Sequence, residues 1–104
     1  MHNNIYTGQT DGSVYVNHSK LDLRLDLCNH SPTGFAWGYG GSGPSQLALA
    51  ILTHEFGEEW AQDRGRYQNF KFDVIAALPV DEPFTLTSAD IQAWRDSLEK
   101  RNVS

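Results

Sequence analysis

A chain of 104 residues, 39% hydrophobic and 20% charged, holds enough apolar material for one modest core and is not the composition of a disordered segment. Its net charge of −5, negative both before and after Gly43, disfavours direct nucleic-acid binding, which needs a basic surface to release counterions. The single cysteine excludes an internal disulfide, no run approaches the ~20 apolar residues of a membrane span, and Met1-His2-Asn3-Asn4 lacks the features of a signal peptide, so a cytoplasmic protein is expected.

Asn4–Thr7 and Ser13–Val16 read as two short strands joined by the hairpin loop Gly8-Gln9-Thr10-Asp11-Gly12. The next segment alternates, with Leu21, Leu23, Leu25 and Leu27 on one side and Asp22, Arg24 and Asp26 on the other. A helix would scatter those leucines around its axis, so a half-buried strand is predicted. Cys28 follows as a buried, inert thiol; a thiol nucleophile paired with His30 is the alternative and requires the two to meet in space. Cys28 to Gly34 is turn chemistry, which would return the chain so that Phe35–Tyr39 pairs antiparallel with Leu21–Leu27. His30 at this turn is expected to bond a backbone carbonyl, with a ligand or general-base role as the alternative.

The centre of the chain, GFAWGYGGSGPSQLALAILTHEF, joins a glycine- and aromatic-rich segment to the most apolar helix in the sequence. Phe35, Trp37 and Tyr39 share one face of an alternating run, while Gly34, Ala36, Gly38 and Gly40 form a nearly bare opposite face. A bare face lets a backbone, a helix or a ligand approach closely. Pro44 suits the first helical position after an N-cap at Gly43 or Ser42, Leu47–Leu52 predicts burial around most of the helix, and Gly57 ends it.

A glycine loop feeding a helix N-terminus is a candidate anion site. Trp37 or Tyr39 would stack on a ring, Gly41 would leave room, Ser42 would donate its hydroxyl, and the amides of Gly43, Ser45 and Gln46 would point at the charge. It is not a phosphate loop of the lysine type, because no lysine lies between Lys20 and Lys71. Nor is it a nucleophile elbow, because Pro44 stands where the second glycine belongs.

The run NHSPTGFAWGYGGSGPSQLALAIL, with YQNFKFDVIAALP and LTSADIQAW downstream, resembles a small family of uncharacterised bacterial, plasmid and phage proteins. That family is a domain of unknown function with a GFxWGYGGSGPxQLALA-type motif, and the likeness runs from about Ile5 to Trp94. The resemblance implies one compact domain and a mobile-element origin, and it brings no catalytic residue.

Beyond the central helix, Glu58 to Asp63 reads as the solvated first turn of a second helix. His54-Glu55 suggests zinc, but H-E-x-x-H needs a histidine where Glu58 stands, so no metal is expected. As a helix Tyr67–Leu78 presents Tyr67, Phe70, Val74 and Leu78 together; as a strand it presents Phe70, Phe72, Val74, Ala76 and Leu78. Length, Ala76-Ala77 and the Pro79 stop favour the helix, which leaves Phe72 at the edge of the apolar face as an exposed contact residue. Pro79–Pro83 is a short acidic loop. Thr87 and Asp90 form the T-x-x-D variant of a capping box, Leu86 and Ile91 a hydrophobic staple, and Ile91, Trp94 and Leu98 an apolar stripe. Asn102–Ser104 are expected to fray.

The expected fold is α+β: a small antiparallel sheet of three to four strands from the N-terminal part, packed by about three helices, as one domain over residues 1–104. No spacing ties a nucleophile such as Ser42 to a base among His30, His54, Asp22, Asp26 and Glu55. The leading expectation is a non-catalytic interaction protein without a cofactor, anchored on a protein partner by Phe35, Trp60 and Phe72. A phosphate- or nucleotide-binding module using Trp37, Tyr39, Gly41, Ser42, Gly43, Ser45 and Gln46 is the alternative. An exposed Phe35–Trp37–Tyr39 face would also suit an oligomer.

Overall fold

The expected hairpin forms from β1 (Ile5–Gly8) and β2 (Val14–Val16), with Tyr6 opposite Val16 and Gly8 opposite Val14. The computed structural model describes residues 3–101, so the expected fraying of Asn102–Ser104 and the reading of Met1-His2 lie outside it. Ser19–Lys20 adds β3 on the outer edge of β2. The fourth strand comes from far along the chain: β4 (Phe84–Thr87) pairs antiparallel with β1, giving the order β3-β2-β1-β4. The antiparallel sheet is thus four-stranded, but one edge is supplied by the C-terminal half.

Leu21–Leu27 is not a strand. Asp22 Oδ1 accepts the Arg24 N–H at 2.7 Å, Arg24 takes a positive φ of 55°, and the chain turns, leaving Leu21 buried and Leu25 39% exposed. A local side-chain bond has displaced the ladder. The backbone needs of this stretch are met instead by the buried Gln46 amide. Its Nε2 donates to the carbonyls of Leu23 and Cys28, and its Oε1 accepts from the N–H groups of His30 (2.8 Å) and Ser31 (3.0 Å). With that clamp in place, Phe35–Tyr39 forms no ladder either; Gly38 N–H bonds the Ile75 carbonyl at 3.0 Å.

Helix α1 (Ser42–Phe56) lies in the core and is buried from Gly43 to Thr53. Its N-cap is Gly41, earlier than the expected Gly43 or Ser42, so Pro44 falls within the first turn rather than at the first helical position; Gly57 ends it with φ 92°. A second short helix, α2 (Glu58–Gln62), follows, then α3 (Arg66–Phe70), which continues as a π-helical turn over Lys71–Ile75. Tyr67–Leu78 is therefore helical down to Ile75. The final helix, α4 (Ser88–Arg101), begins at the expected reciprocal capping box: Asp90 accepts the Thr87 N–H at 3.0 Å, and Thr87 Oγ1 accepts the Asp90 N–H at 3.2 Å. Among the described residues no helix is long and apolar enough to cross a membrane.

Aromatic edges close the core, with Trp37 on Phe84 at 4.8 Å and Phe70 on Trp94 at 4.9 Å between ring centroids. Trp94 also ties α4 to the π-helical turn, donating its indole N–H to Asp73 at 2.9 Å, while Arg101 reaches the same oxygen at 2.8 Å. Burial alone would raise the Asp73 carboxyl, but the hydrogen bonds from Arg101 and Trp94 outweigh it and hold the group below its usual value. A depressed carboxylate contributes stability in full above its unfolded value of about 3.9 and loses it as pH falls through the folded value. Denaturant midpoints of wild type and Asp73→Asn are expected to differ at neutral pH and to converge under strong acid. A gap that widens on acidification contradicts this linkage.

Candidate functional site

The glycine-rich segment uses its bare face for its own chain. Gly38 has φ +88°, and a Cβ placed there would stand 2.6 Å from Val80 Cα; a Cβ at Gly40 would stand 3.3 Å from the Phe72 ring. These two close approaches draw Val80 and Phe72 to the loop that carries Tyr39. The three side chains are the most exposed large hydrophobics described: Phe72 at 63%, Val80 at 55% and Tyr39 at 51%. Tyr39 stands between the two glycines that Val80 and Phe72 meet, and it shares a hollow with Val80. Lys71 is buried, with its Nζ 4.0 Å from the centre of the exposed Phe72 ring.

Two adjoining hollows run along the segment, and the second shares Tyr39 and Val80 with these exposed side chains. One, of about 500 Å³, lies among Lys20, Ser31, Thr33, Tyr39, Ser42 and Gly43. The second, of about 290 Å³, is lined by Asp11, Phe35, Trp37, Tyr39, Val80 and Asp81. Asp11, Gly12, Phe35, Ala36 and Tyr39 border both, so together they make a groove between the β1–β2 turn and the Phe35–Tyr39 segment.

Of the residues expected to cradle an anion, Tyr39, Ser42 and Gly43 line the larger hollow. The N–H groups of Ser42 and Gly43 take no backbone partner among the described residues, as befits a helix start. Ser45 and Gln46 are turned inward: the Ser45 amide donates to the Gly41 carbonyl at 3.0 Å, its hydroxyl meets Gln68, and Gln46 is the loop clamp. Trp37 is 5% exposed and donates its indole N–H to the Glu82 carbonyl at 2.9 Å, which makes it a wall of the groove. Among the expected interface residues Phe72 is exposed and Phe35 half-buried. Trp60 is half-buried between the guanidinium groups of Arg66 and Arg95, at 4.4 and 4.5 Å.

The Cys28–His30 pairing does form. Cys28 Sγ is 3.2 Å from His30 Nε2, and that nitrogen is 2.8 Å from the Tyr67 hydroxyl. His30 thus meets two side chains rather than a backbone carbonyl, and Cys28 is partly accessible rather than buried. Burial is the largest influence on Tyr67 and lifts its hydroxyl above the ordinary tyrosine value, so it stays a neutral donor or acceptor to His30. Among the described residues no three His, Cys, Asp or Glu side chains gather to hold a metal.

Sequence reasoning missed Val80 and Asp81 as site residues. They follow a proline in a short acidic loop, which reaches the glycine segment through the close approach of Val80 to Gly38 and the Trp37 bond to the Glu82 carbonyl. The fold and surface together define a small α+β domain in which a glycine-rich loop assembles an aromatic patch and a groove. The chain belongs to the DUF6166 family, a family of unknown function, whose match covers residues 6–97. No match was found among curated proteins or among solved structures.

Proposed function

We propose that the protein is a non-catalytic interaction protein that modulates another macromolecule, with the Tyr39–Phe72–Val80 patch as its contact surface. The observation that carries this reading is the convergence of the three most exposed large hydrophobics on one glycine loop. Burying such a patch supplies association energy at about 25 cal/mol per Å² of apolar area before ordering costs. The likeness of the WGYGGSGP run to plasmid and phage proteins supports a mobile-element origin, a host target and a cytoplasmic setting. A photo-cross-linking phenylalanine analogue at position 72, in a bacterial host, is expected to yield a discrete heteromeric adduct that the same analogue at the exposed Lys100 position does not. No adduct from position 72, or the same adducts from both positions, overturns the proposal.

A second reading rests on the larger hollow, where the free amides of Ser42 and Gly43 lie with Lys20, Ser31 and Thr33. It makes this end of the groove a site for a small anionic ligand, a phosphate or nucleotide. Native mass spectrometry of gently purified protein would then show an added small-molecule mass lost on denaturation. A bare mass overturns this reading.

A further inference from the structure

We propose that the groove between the β1–β2 turn and the Phe35–Tyr39 segment holds an extended, basic segment of a partner protein, with a lysine or arginine side chain lying over Tyr39 and Val80 and its cation between Asp11 and Asp81. This rests on the interaction reading above and names the chemistry of the partner.

Three observations meet there. The first is backbone. The N–H and C=O groups of Phe35, Ala36 and Trp37 have no hydrogen-bond partner among the described residues, because the expected pairing with Leu21–Leu27 is replaced by the Gln46 clamp. Unpaired main-chain groups beside a groove are what an added peptide strand uses.

The second is charge. The acidic residues lining the smaller hollow are Asp11 and Asp81, and neither is in an ion pair among the described residues. Asp11 Oδ1 accepts the Ser13 N–H at 2.9 Å, and that bond chiefly holds its carboxyl below the usual value, so it stays ionised. The cation facing it is Lys20, in the adjoining hollow, whose attraction is the smallest of the influences on Asp11. A net charge of −5 favours the approach of a basic partner, and the two unpaired carboxylates would direct it to the smaller hollow.

The third is shape. At about 290 Å³ the smaller hollow lies just under the range of ligand pockets and suits one long side chain, with apolar walls for its stem and carboxylates at its rim.

The probe is a display library of random heptapeptides selected against the full chain, and in parallel against the chain carrying Asp11→Asn and Asp81→Asn. Both positions are exposed, asparagine keeps the Oδ1 that Ser13 needs, and it tolerates the φ of 60° at position 81, so the fold is retained. Expected are peptides enriched in lysine or arginine beside apolar residues, whose synthetic consensus binds about tenfold or more weakly to the double variant. No enrichment, enrichment without basic residues, or equal binding by the double variant overturns the proposal. A dimer in sedimentation that the double variant dissociates also overturns it, in favour of a second copy of this chain. An adduct from position 72 that persists in the double variant would sink the groove assignment and leave the patch standing.

Discussion

Gly38→Ala is expected to destabilise the protein by about 2–5 kcal/mol, the largest effect of any change in the glycine-rich loop. Two penalties coincide. The positive φ of 88° disfavours any L side chain by about 1–2 kcal/mol, and the new Cβ would sit 2.6 Å from Val80 Cα and 2.8 Å from Val80 N. Those are backbone atoms and cannot rotate away. Gly34→Ala is the control: nothing lies within 4 Å of its Cβ position, and a change within about 0.5 kcal/mol is expected. Gly41→Ala falls between, since its contact is the Tyr39 ring at 2.5 Å, and that ring is half exposed and free to swing. Urea midpoints of the three variants test the ranking. A Gly38→Ala protein as stable as Gly34→Ala would show that Val80 does not dock on the loop, and the patch with it would lose its basis.

Glu55→Ala is expected to be comparably severe, at about 3 kcal/mol or more. The side chain is 3% exposed, and its Oε1 accepts from Asn4 Nδ2 (2.9 Å), the Tyr6 hydroxyl (3.0 Å) and the Ser88 hydroxyl (2.6 Å). One oxygen on α1 thereby ties the entrance and interior of β1 to the first residue of α4. Truncation strands three donors, two of them in buried bonds, and each buried orphan costs about 1–3 kcal/mol. Burial first, and Glu55 second, push the Tyr6 hydroxyl far above the ordinary tyrosine value, so it remains a donor throughout the accessible pH range. Glu55→Gln keeps an acceptor oxygen and should lose less. A melting temperature lower by roughly 12 °C or more is expected for Glu55→Ala; an unchanged one would deny the carboxyl its role as a junction.

What the sequence made legible is local. The hairpin, the α1 helix with its Gly57 stop, the helical reading of Tyr67–Leu78 and the Thr87–Asp90 box all rest on residues a few positions apart, and each forms, with the α1 cap earlier than expected and the third helix ending at Ile75. What stayed hidden depends on partners distant in sequence. The leucines of residues 21–27 carry a strand's period, but the Asp22–Arg24 turn and the Gln46 clamp leave that period without a ladder. Gln46 itself stands just ahead of an apolar run, where nothing announces that it serves four backbone groups. Strand β4 escaped notice because it is four residues long, follows Pro83, and ends on the threonine that caps the next helix. The candidate site divides in the same way. Phe72 was legible as an exposed contact residue and Tyr39 as a ligand-stacking one, while Val80 and Asp81 join them through the approach at Gly38 and the Trp37–Glu82 bond, both distant in sequence.

The sheet order has a consequence for synthesis. As the chain leaves the ribosome, β1 and β2 can pair at once, but the outer edge of β1 stays open until Phe84–Thr87 has emerged. The Ser88 amide then closes on the Asn4 carbonyl at 2.9 Å, and the Ser88 hydroxyl completes the Glu55 junction. A nascent chain ending at Pro83 therefore carries a strand with a bare rim of donors and acceptors, ready to recruit any neighbouring strand. Completion of the sheet waits for Phe84–Thr87, so a chain cut short of that strand gives an aggregation-prone product rather than a shortened domain.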